Sequence, residues 1–205
     1  MLNVFDYIAP REQSEPEDHV EFYTIPGPSG QGYPKKHLVS VQDLHTGKLQ
    51  QLIADSLDSQ SHLYYRCAIR YPNGGWKGTW CLWADIDLDD PKQAAPVVHK
   101  INQFSPTPSM TFWSGNRGYH LIWVLDGFET DPKKVQGKLR ALVEHLGADP
   151  QVGHHTKGLR VPGSINWKAE GAGEDNGSRG LVRLVGPPSL MDALTPLYQT
   201  PVPTL

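Results

Sequence analysis

The sequence has 205 residues, a formal net charge of −3 and 38% hydrophobic residues. This composition is typical of a globular protein with a core of its own, and it excludes a disordered chain. No apolar run reaches the roughly 18 residues needed to cross a bilayer, and the first residues lack the basic and apolar regions of a signal peptide. We therefore expect a cytoplasmic protein with no membrane partner. The net charge argues against a large nucleic-acid-binding surface but allows a local basic channel.

The first part of the chain is expected to be irregular. Residues 1–40 are rich in proline, glycine and charge, and the segment 25–34 cannot continue a helix or a strand. We predict a long loop or an ordered arm there. Residues 41–57 then have apolar side chains near helical spacing, and Ser40 or Asp43 is available as an N-terminal cap, so a helix is predicted.

The remaining elements alternate between strands and helices. In chain order they are strands at 63–71 and 79–88, a helix at 96–104, strands at 109–114 and 119–125, a helix at 132–146 and a strand at 181–185. The turn 72–75 predicts a hairpin, and Asp131 and Gly147 are suited to cap the last helix. This order predicts an α+β domain over 41–186, with an antiparallel sheet backed by helices, and a proline-rich tail or linker at 187–205.

Two aspartates lie inside the predicted strand 79–88. Side chains alternate along a strand, so Asp85 and Asp87 point to the same face, about 6–7 Å apart. Like charges at that distance repel each other and resist desolvation unless a divalent cation lies between them. The pair therefore predicts a metal site. The alternative is a strand that ends in solvent, with Asp87 entering an acidic turn before Pro91.

Two later segments carry residues suited to binding phosphate. In Ser114-Gly115-Asn116-Arg117-Gly118-Tyr119-His120, a hairpin tip combines a hydroxyl, two glycines, an arginine and a histidine. Backbone N–H groups and cationic side chains at such a tip can hold phosphate oxygens. In 157–168, Arg160, Asn166 and Lys168 flank a Pro-Gly turn and could converge on an anion. Each segment alone also has a plainer interpretation, as a turn with a structural histidine and as a basic loop.

Together the three segments resemble the archaeo-eukaryotic primase superfamily, specifically the primase-polymerase type found with replication proteins of phages, plasmids and mobile elements. Residues 83–87 resemble its DxD motif, 114–120 its small-x-His motif, and 159–168 its Arg-(Leu/Val)-Pro-Gly-(Thr/Ser)-x-Asn-x-Lys signature. The motifs occur in the family's order, and the resemblance runs from about residue 63 to about residue 185. It implies a catalytic antiparallel sheet like that of an RNA-recognition motif, backed by helices, here with an N-terminal α/β extension.

The resemblance implies a DNA primase-polymerase, a template-dependent nucleotidyltransferase that makes or extends primers on single-stranded DNA. Two divalent ions, Mg²⁺ or Mn²⁺, would be held by three carboxylates: Asp85 and Asp87 match the first two, and Asp149 is the candidate for the third. His120 would join them as a catalytic residue. The nucleoside triphosphate, dNTP or NTP, would be bound by charge-assisted hydrogen bonds within the set Ser114, Asn116, Arg117, His120, Arg160, Asn166 and Lys168. Expected partners are the template, a primer strand and a helicase or primer-initiation domain, in the same chain or another.

One segment departs from the family's pattern. Relatives often carry a second Asp shortly after the Asp-Pro, where this sequence has Gly153-His154-His155-Thr156. Either Asp149 is the third ligand, or a histidine has replaced it.

Two other functions stay open. A metal-dependent nuclease or phosphodiesterase would use the same carboxylates and basic residues. A non-catalytic nucleic-acid-binding module is the other alternative, but its sheet would display aromatic residues where Asp85 and Asp87 lie. Basic residues that could contact a template are Lys35, Lys36, Arg66, Arg70 and Lys77. Each is more often a solvated surface charge, so no template site is predicted.

Overall fold

A computed structural model describes residues 4–27, 32–88, 90, 94–169, 171–174 and 179–186. The strands are β1 (His19–Ile25), β2 (Lys35–Ser40), β3 (His62–Arg70), β4 (Trp76–Asp87), β5 (Met110–Trp113), β6 (Gly118–Glu129), β7 (Gly158–Arg160) and β8 (Arg183–Gly186). The helices are α1 (Phe5–Ile8), α2 (Val41–Asp43), α3 (Leu49–Asp58), α4 (Ala94–Gln103) and α5 (Pro132–Leu146). The strands form one antiparallel sheet in the order β2-β1-β3-β4-β6-β5-β8, with β7 beside β3. This confirms the predicted α+β fold. None of the described helices is long and apolar enough to span a membrane.

The N-terminal segment belongs to the sheet. The expectation of a loop or arm over 1–40 is wrong for β1 and β2, which pair with each other, and β1 also pairs with β3. Proline and glycine are concentrated in the connection 26–34, whereas β1 places Val20 and Phe22 in the core by strand alternation. The composition of the whole segment therefore hid two strands. The tail predicted at 187–205 lies outside the described residues.

Capping side chains set the helix ends largely as predicted. The Asp131 carboxylate accepts hydrogen bonds from two backbone N–H groups in the first turn of α5, and Gly147 ends that helix with φ +68°. Ser40 accepts a hydrogen bond from a first-turn N–H of α2. The single helix predicted over 41–57 is interrupted by a kink, in which Gly47 has φ +112°. Only glycine adopts that conformation without a steric cost, so α2 and α3 are separate helices.

The strands β3 and β4 separate soon after their hairpin. Among the described residues they pair at two positions, both near the turn, and Ile69 lies opposite Gly78 at one of them. Further along, β7 occupies the edge of β3, where Tyr64 pairs with Arg160. The strand β4 instead pairs with β6 as far as Asp87. The sheet therefore has two parts, β2-β1-β3-β7 and β4-β6-β5-β8, joined at the β3–β4 hairpin.

Two clusters of buried side chains stabilise this arrangement. The larger cluster packs α1 and α3 against β1, β3 and β4, and it includes Phe5, Ile8, Phe22, Leu52, Leu63, Tyr65, Ile69 and Trp83. The smaller cluster packs α4 and α5 against β4 and β6, and it includes Ile86, Val98, Ile101, Leu121, Leu142 and Leu146. The central strand β4 contributes to both clusters, so its position is fixed from both sides.

Gly158 offers a test of how closely β7 packs on β3. A Cβ atom at this position would contact the carbonyl oxygen of Tyr65 and would lie 3.1 Å from the ring of Tyr23. We expect Gly158→Ala to lower the free energy of unfolding by about 1–3 kcal/mol, as overpacking does, in urea denaturation.

Gly137 in α5 provides the matched control, because a Cβ atom there would have nothing within 4 Å. Gly137→Ala is expected to raise the free energy of unfolding by about 0.5–1 kcal/mol, since alanine favours a helix over glycine. The same stabilisation from Gly158→Ala would contradict the close packing of β7.

Candidate active site

All ten predicted site residues line one cavity of about 350 Å³ at the separation between the two parts of the sheet. The acidic residues come from β4 and from the segment after α5, and they are Asp85, Asp87 and Asp149. The β5–β6 hairpin contributes Ser114, Asn116, Arg117 and His120. The third group comes from β7 and the segment after it: Arg160, Asn166 and Lys168. The structure therefore brings together three segments that are far apart in the sequence, while the role of each residue stays a prediction.

Asp85 is the most strongly perturbed carboxyl group of the cavity. Its side chain is 21% exposed, whereas Asp87, two residues further along β4, is exposed. Burial and the nearby charges of Asp87 and Asp149 raise the pKa of Asp85 to about 7, although Arg160 opposes the rise. Asp85 Oδ1 is buried and has no hydrogen-bond partner among the described residues. A cation would both neutralise this cluster of carboxylates and bind the unpaired oxygen.

His120 lies directly opposite Asp85, in the pairing of β4 with β6. Its Nε2 atom is 3.7 Å from Asp85 Oδ1, which is too long for a hydrogen bond. Burial, helped by the charge of Arg160, lowers the pKa of His120 to about 3, so the imidazole is neutral near pH 7. A neutral imidazole can still donate an N–H to an ionised phosphate oxygen, so the charge-assisted hydrogen bond from His120 to the triphosphate stays a prediction, with the charge on the phosphate.

Asp149 is held against β4 by its backbone. Its N–H donates to the carbonyl oxygen of Asp85 at 2.7 Å, and its own Oδ1 accepts from the N–H of Gln151 at 2.8 Å. Within the described part of the chain, no three His, Cys, Asp or Glu side chains form a cluster with metal-ligand spacing. The carboxylates therefore do not form a closed cage. They fit an ion such as Mg²⁺, which is commonly bound by one or two carboxylates together with water and substrate phosphates.

The two histidines that follow Asp149 point to other partners. The ring of His155 packs edge-to-face against Trp76, with centroids 5.3 Å apart, and its Nδ1 lies 3.1 Å from Gln136 Oε1. The Nδ1 atom of His154 lies 2.7 Å from Thr156 Oγ1. Neither histidine lines the cavity. Of the two alternatives for a third ligand, the geometry favours Asp149.

The second and third motifs are joined by Asn166. Its side-chain Nδ2 donates to the carbonyl oxygen of Ser114 at 3.0 Å, and its Oδ1 accepts from the N–H of Lys168 at 3.2 Å. Its backbone N–H donates to the carbonyl oxygen of Gly180 at 2.7 Å. The tip of the β5–β6 hairpin fits here because Gly115, with φ +84°, has no side chain to collide with Gly180. The contacts of Asn166 thus favour a role in orienting the loop.

Arg160 is positioned by an aromatic stack that the sequence analysis missed. Its Cζ lies 4.7 Å from the ring centroid of Tyr64, which stacks on Tyr23 at 5.0 Å and 8°. Arg160 Nη1 also lies 2.9 Å from Nδ1 of His62. Both tyrosines line the cavity, and burial raises the pKa of Tyr23 to about 12, so this phenol is neutral. The stack depends on the pairing of β7 with β3, which no local pattern indicates.

Comparison with known proteins gives one sequence relative. No family model matches the chain. A replication protein from Clostridium perfringens is 40% identical over 74 residues, which make up 34% of this chain. The match spans only 18% of the length of that relative.

Solved structures give a match over most of the chain. The crystal structure of the primase RepB′ superposes with a TM-score of 0.60 at 14% identity, over 89% of this chain and 57% of the primase. The corresponding domain of the cyanophage S-2L primase-polymerase gives a TM-score of 0.59 at 13% identity, over 90% of this chain and 92% of that domain. This chain has the fold of a primase-polymerase catalytic domain. The resemblance predicted from the three motifs is thereby confirmed at the level of the fold.

A third similar structure contains bound DNA. The catalytic domain of RepB′ in complex with initiator DNA shares the primase-polymerase fold with a TM-score of 0.57 at 15% identity, over 89% of this chain and 85% of that domain.

The role of Asn166 in joining the motifs can be tested by stability. We expect Asn166→Ala to lower the free energy of unfolding by about 1–3 kcal/mol, because it removes the buried hydrogen bond to the carbonyl oxygen of Ser114 and the acceptor of the Lys168 N–H. Urea denaturation measures this change.

Asn116→Ala is the matched control, because Asn116 is exposed at the tip of the same hairpin. We expect this substitution to change the free energy of unfolding by no more than about 0.5 kcal/mol. A loss at Asn166 as small as that at Asn116 would show that the two motifs are not joined through this amide.

Proposed function

We propose that this protein is a replication primase-polymerase, which transfers nucleotides to a growing strand on a single-stranded DNA template. The observation that carries the proposal is the meeting of all three motifs at one cavity, with carboxylates from β4 facing basic residues from β7 and the β5–β6 hairpin. The primase-polymerase fold and the partial match to a replication protein support it.

The carboxylate side of the cavity is suited to divalent ions, Mg²⁺ or Mn²⁺. We infer that Asp85 and Asp87 hold them, with Asp149 as the third ligand. When bound, such ions would supply activation of the attacking 3′-hydroxyl and would neutralise the charge that develops on the pyrophosphate. Asp85 contributes an oxygen that is already desolvated and unpaired, so little further desolvation is needed when an ion binds.

The basic side of the cavity is suited to the triphosphate of a dNTP or NTP. Arg160 is held by its contacts with Tyr64 and His62, so its guanidinium loses little freedom on binding phosphate. Lys168 and Arg117 are exposed, so their cationic groups are free to approach the phosphate oxygens. Because His120 is neutral, these three side chains would supply the positive charge within the predicted binding set.

Primer extension tests the proposal. Unmutated protein is incubated with primed and unprimed single-stranded templates, labelled nucleotides and Mg²⁺ or Mn²⁺, and the products are separated on a gel. We expect labelled strands to lengthen. Asp87→Asn should reduce extension at least about 100-fold, because several kcal/mol of charge stabilisation depend on the metal ligands.

The matched control is Asp58→Asn, an exposed aspartate at the end of α3 that does not line the cavity. It should extend primers like the unmutated protein. Shortening of the template without extension would instead favour a nuclease, and binding of DNA without either reaction would favour a non-catalytic module.

Metal titration tests the third carboxylate separately. We expect Asp149→Asn to raise the Mn²⁺ concentration for half-maximal primer extension about 10- to 100-fold, the range observed when groups that support metal binding are removed. His154→Gln should leave that concentration unchanged, since this histidine lies outside the cavity lining. A larger shift for His154→Gln than for Asp149→Asn would reverse the assignment.

A further inference from the structure

A row of basic and aromatic side chains leads away from the cavity along β3. Tyr64, Arg66 and Arg70 are separated by even numbers of residues, so strand alternation places them on one face. Tyr64 lines the cavity, and Arg66 lies opposite Gly158, which lines it too. From Tyr64 to Arg70 the row extends about 20 Å, given the rise of a strand.

Among the described residues, the positive charge of this row is only partly balanced. Glu21 accepts a hydrogen bond from Arg66 Nη1 at 2.9 Å, but its Oε2 is 3.9 Å from Arg70 Nε, beyond hydrogen-bond distance. Arg70 is only 5% exposed, and its Nε and Nη2 have no hydrogen-bond partner among the described residues. Lys36 lies 3.7 Å from the same carboxylate. One carboxylate thus faces three cations, and a buried guanidinium without full compensation is costly.

Arg70 also lies beside aromatic rings. Its Cζ lies 5.6 Å from the ring centroid of Trp76, which packs against His155. Burial, followed by the charges of His154, Arg70 and Arg66, lowers the pKa of His155, so its imidazole is neutral near pH 7 and adds no charge. At the cavity end of the row, Lys157 is exposed and lines the cavity.

We propose that Arg66, Arg70, Trp76 and Lys157, here called the β3 strip, bind the sugar-phosphate backbone of the single-stranded template where it leaves the cavity. The inference rests on the proposed function, which supplies the strand. A backbone phosphate provides the anion that Arg70 lacks, and the ring of Trp76 provides a surface for a base. A local strip of this kind is compatible with the net charge of −3, because the surplus of positive charge is confined to one face.

The β3 strip extends beyond the proposed triphosphate site, although Lys157 at its near end lines the cavity. Arg66, Arg70 and Trp76 do not line the cavity, whereas Arg160 and Lys168 do. Removing Arg70 should therefore weaken DNA binding without weakening nucleotide binding. It also leaves Glu21 paired with Arg66, so the substitution is not expected to expose an unpaired buried carboxylate.

The test compares Arg70→Gln with Arg140→Gln, an exposed arginine of α5 outside the β3 strip. Binding of a fluorescein-labelled oligothymidylate of about 15 nucleotides is followed by anisotropy at several salt concentrations. We expect Arg70→Gln to weaken binding about tenfold and to reduce the slope of log K against log salt by about 0.7, the value for one phosphate contact on a single strand. Arg140→Gln and the affinity for a fluorescent nucleoside triphosphate should stay unchanged.

A second variant, Lys157→Gln, tests the β3 strip without a risk of unfolding, because this exposed side chain can be replaced without disturbing the core. It should also reduce the slope of log K against log salt. Equal DNA affinity and salt slope for Arg70→Gln and Arg140→Gln would overturn the inference. So would a loss of triphosphate affinity in Arg70→Gln, or a lower melting temperature of Arg70→Gln combined with no effect of Lys157→Gln.

The outcome for the unmutated protein separates the two proposals. If it extends primers while Arg70→Gln binds DNA as tightly, the inference fails and the proposed function stands. If it neither binds the oligonucleotide nor extends primers, the proposed function fails and the β3 strip fails with it.

Discussion

The strands β3 and β4 separate after their shared hairpin and pair with different strands. The candidate site depends on that separation. Near the turn they pair with each other, but further along β3 takes β7 as its neighbour and β4 takes β6. If β3 and β4 paired along their whole length, no gap would lie between the strands that carry Tyr64 and Asp85. Instead, both residues line a cavity, and the backbone groups that the two strands no longer share are paired elsewhere. The opening therefore costs few hydrogen bonds.

The electrostatics of the cavity follow from this geometry. Carboxylates enter from β4 and basic side chains from β7, so opposite charges face each other across a partly buried space. Arg160 lowers the pKa of Asp85 but does not offset burial and the neighbouring carboxylates. Asp85 Oδ1 also has no hydrogen-bond partner among the described residues, and Arg117 and Lys168 on the basic side are exposed. A divalent ion and a nucleoside triphosphate would complete both sides together, which is the arrangement that phosphoryl transfer requires.

Local sequence patterns predicted those parts of the fold and of the site that depend on residues close together in the sequence. The alternation that places Asp85 and Asp87 together and the caps of α5 are of this kind. Contacts between distant segments were not predictable in the same way: β1 and β2 were hidden by the composition around them, and the stack of Tyr23, Tyr64 and Arg160 requires β7 to pair with β3. The uncharged state of the site histidine likewise depends on burial, which its motif does not indicate.

The proposed metal and triphosphate sites can be tested directly by crystallography of the protein with Mn²⁺ and a non-hydrolysable nucleoside triphosphate, because manganese is located by its anomalous scattering. If these aspartates hold the metal, we expect an anomalous peak within ligand distance of both Asp85 and Asp87, with the triphosphate between that peak and the Arg160 and Lys168 side of the cavity. A nucleotide bound outside the cavity, or manganese bound away from both aspartates, would contradict the proposed sites.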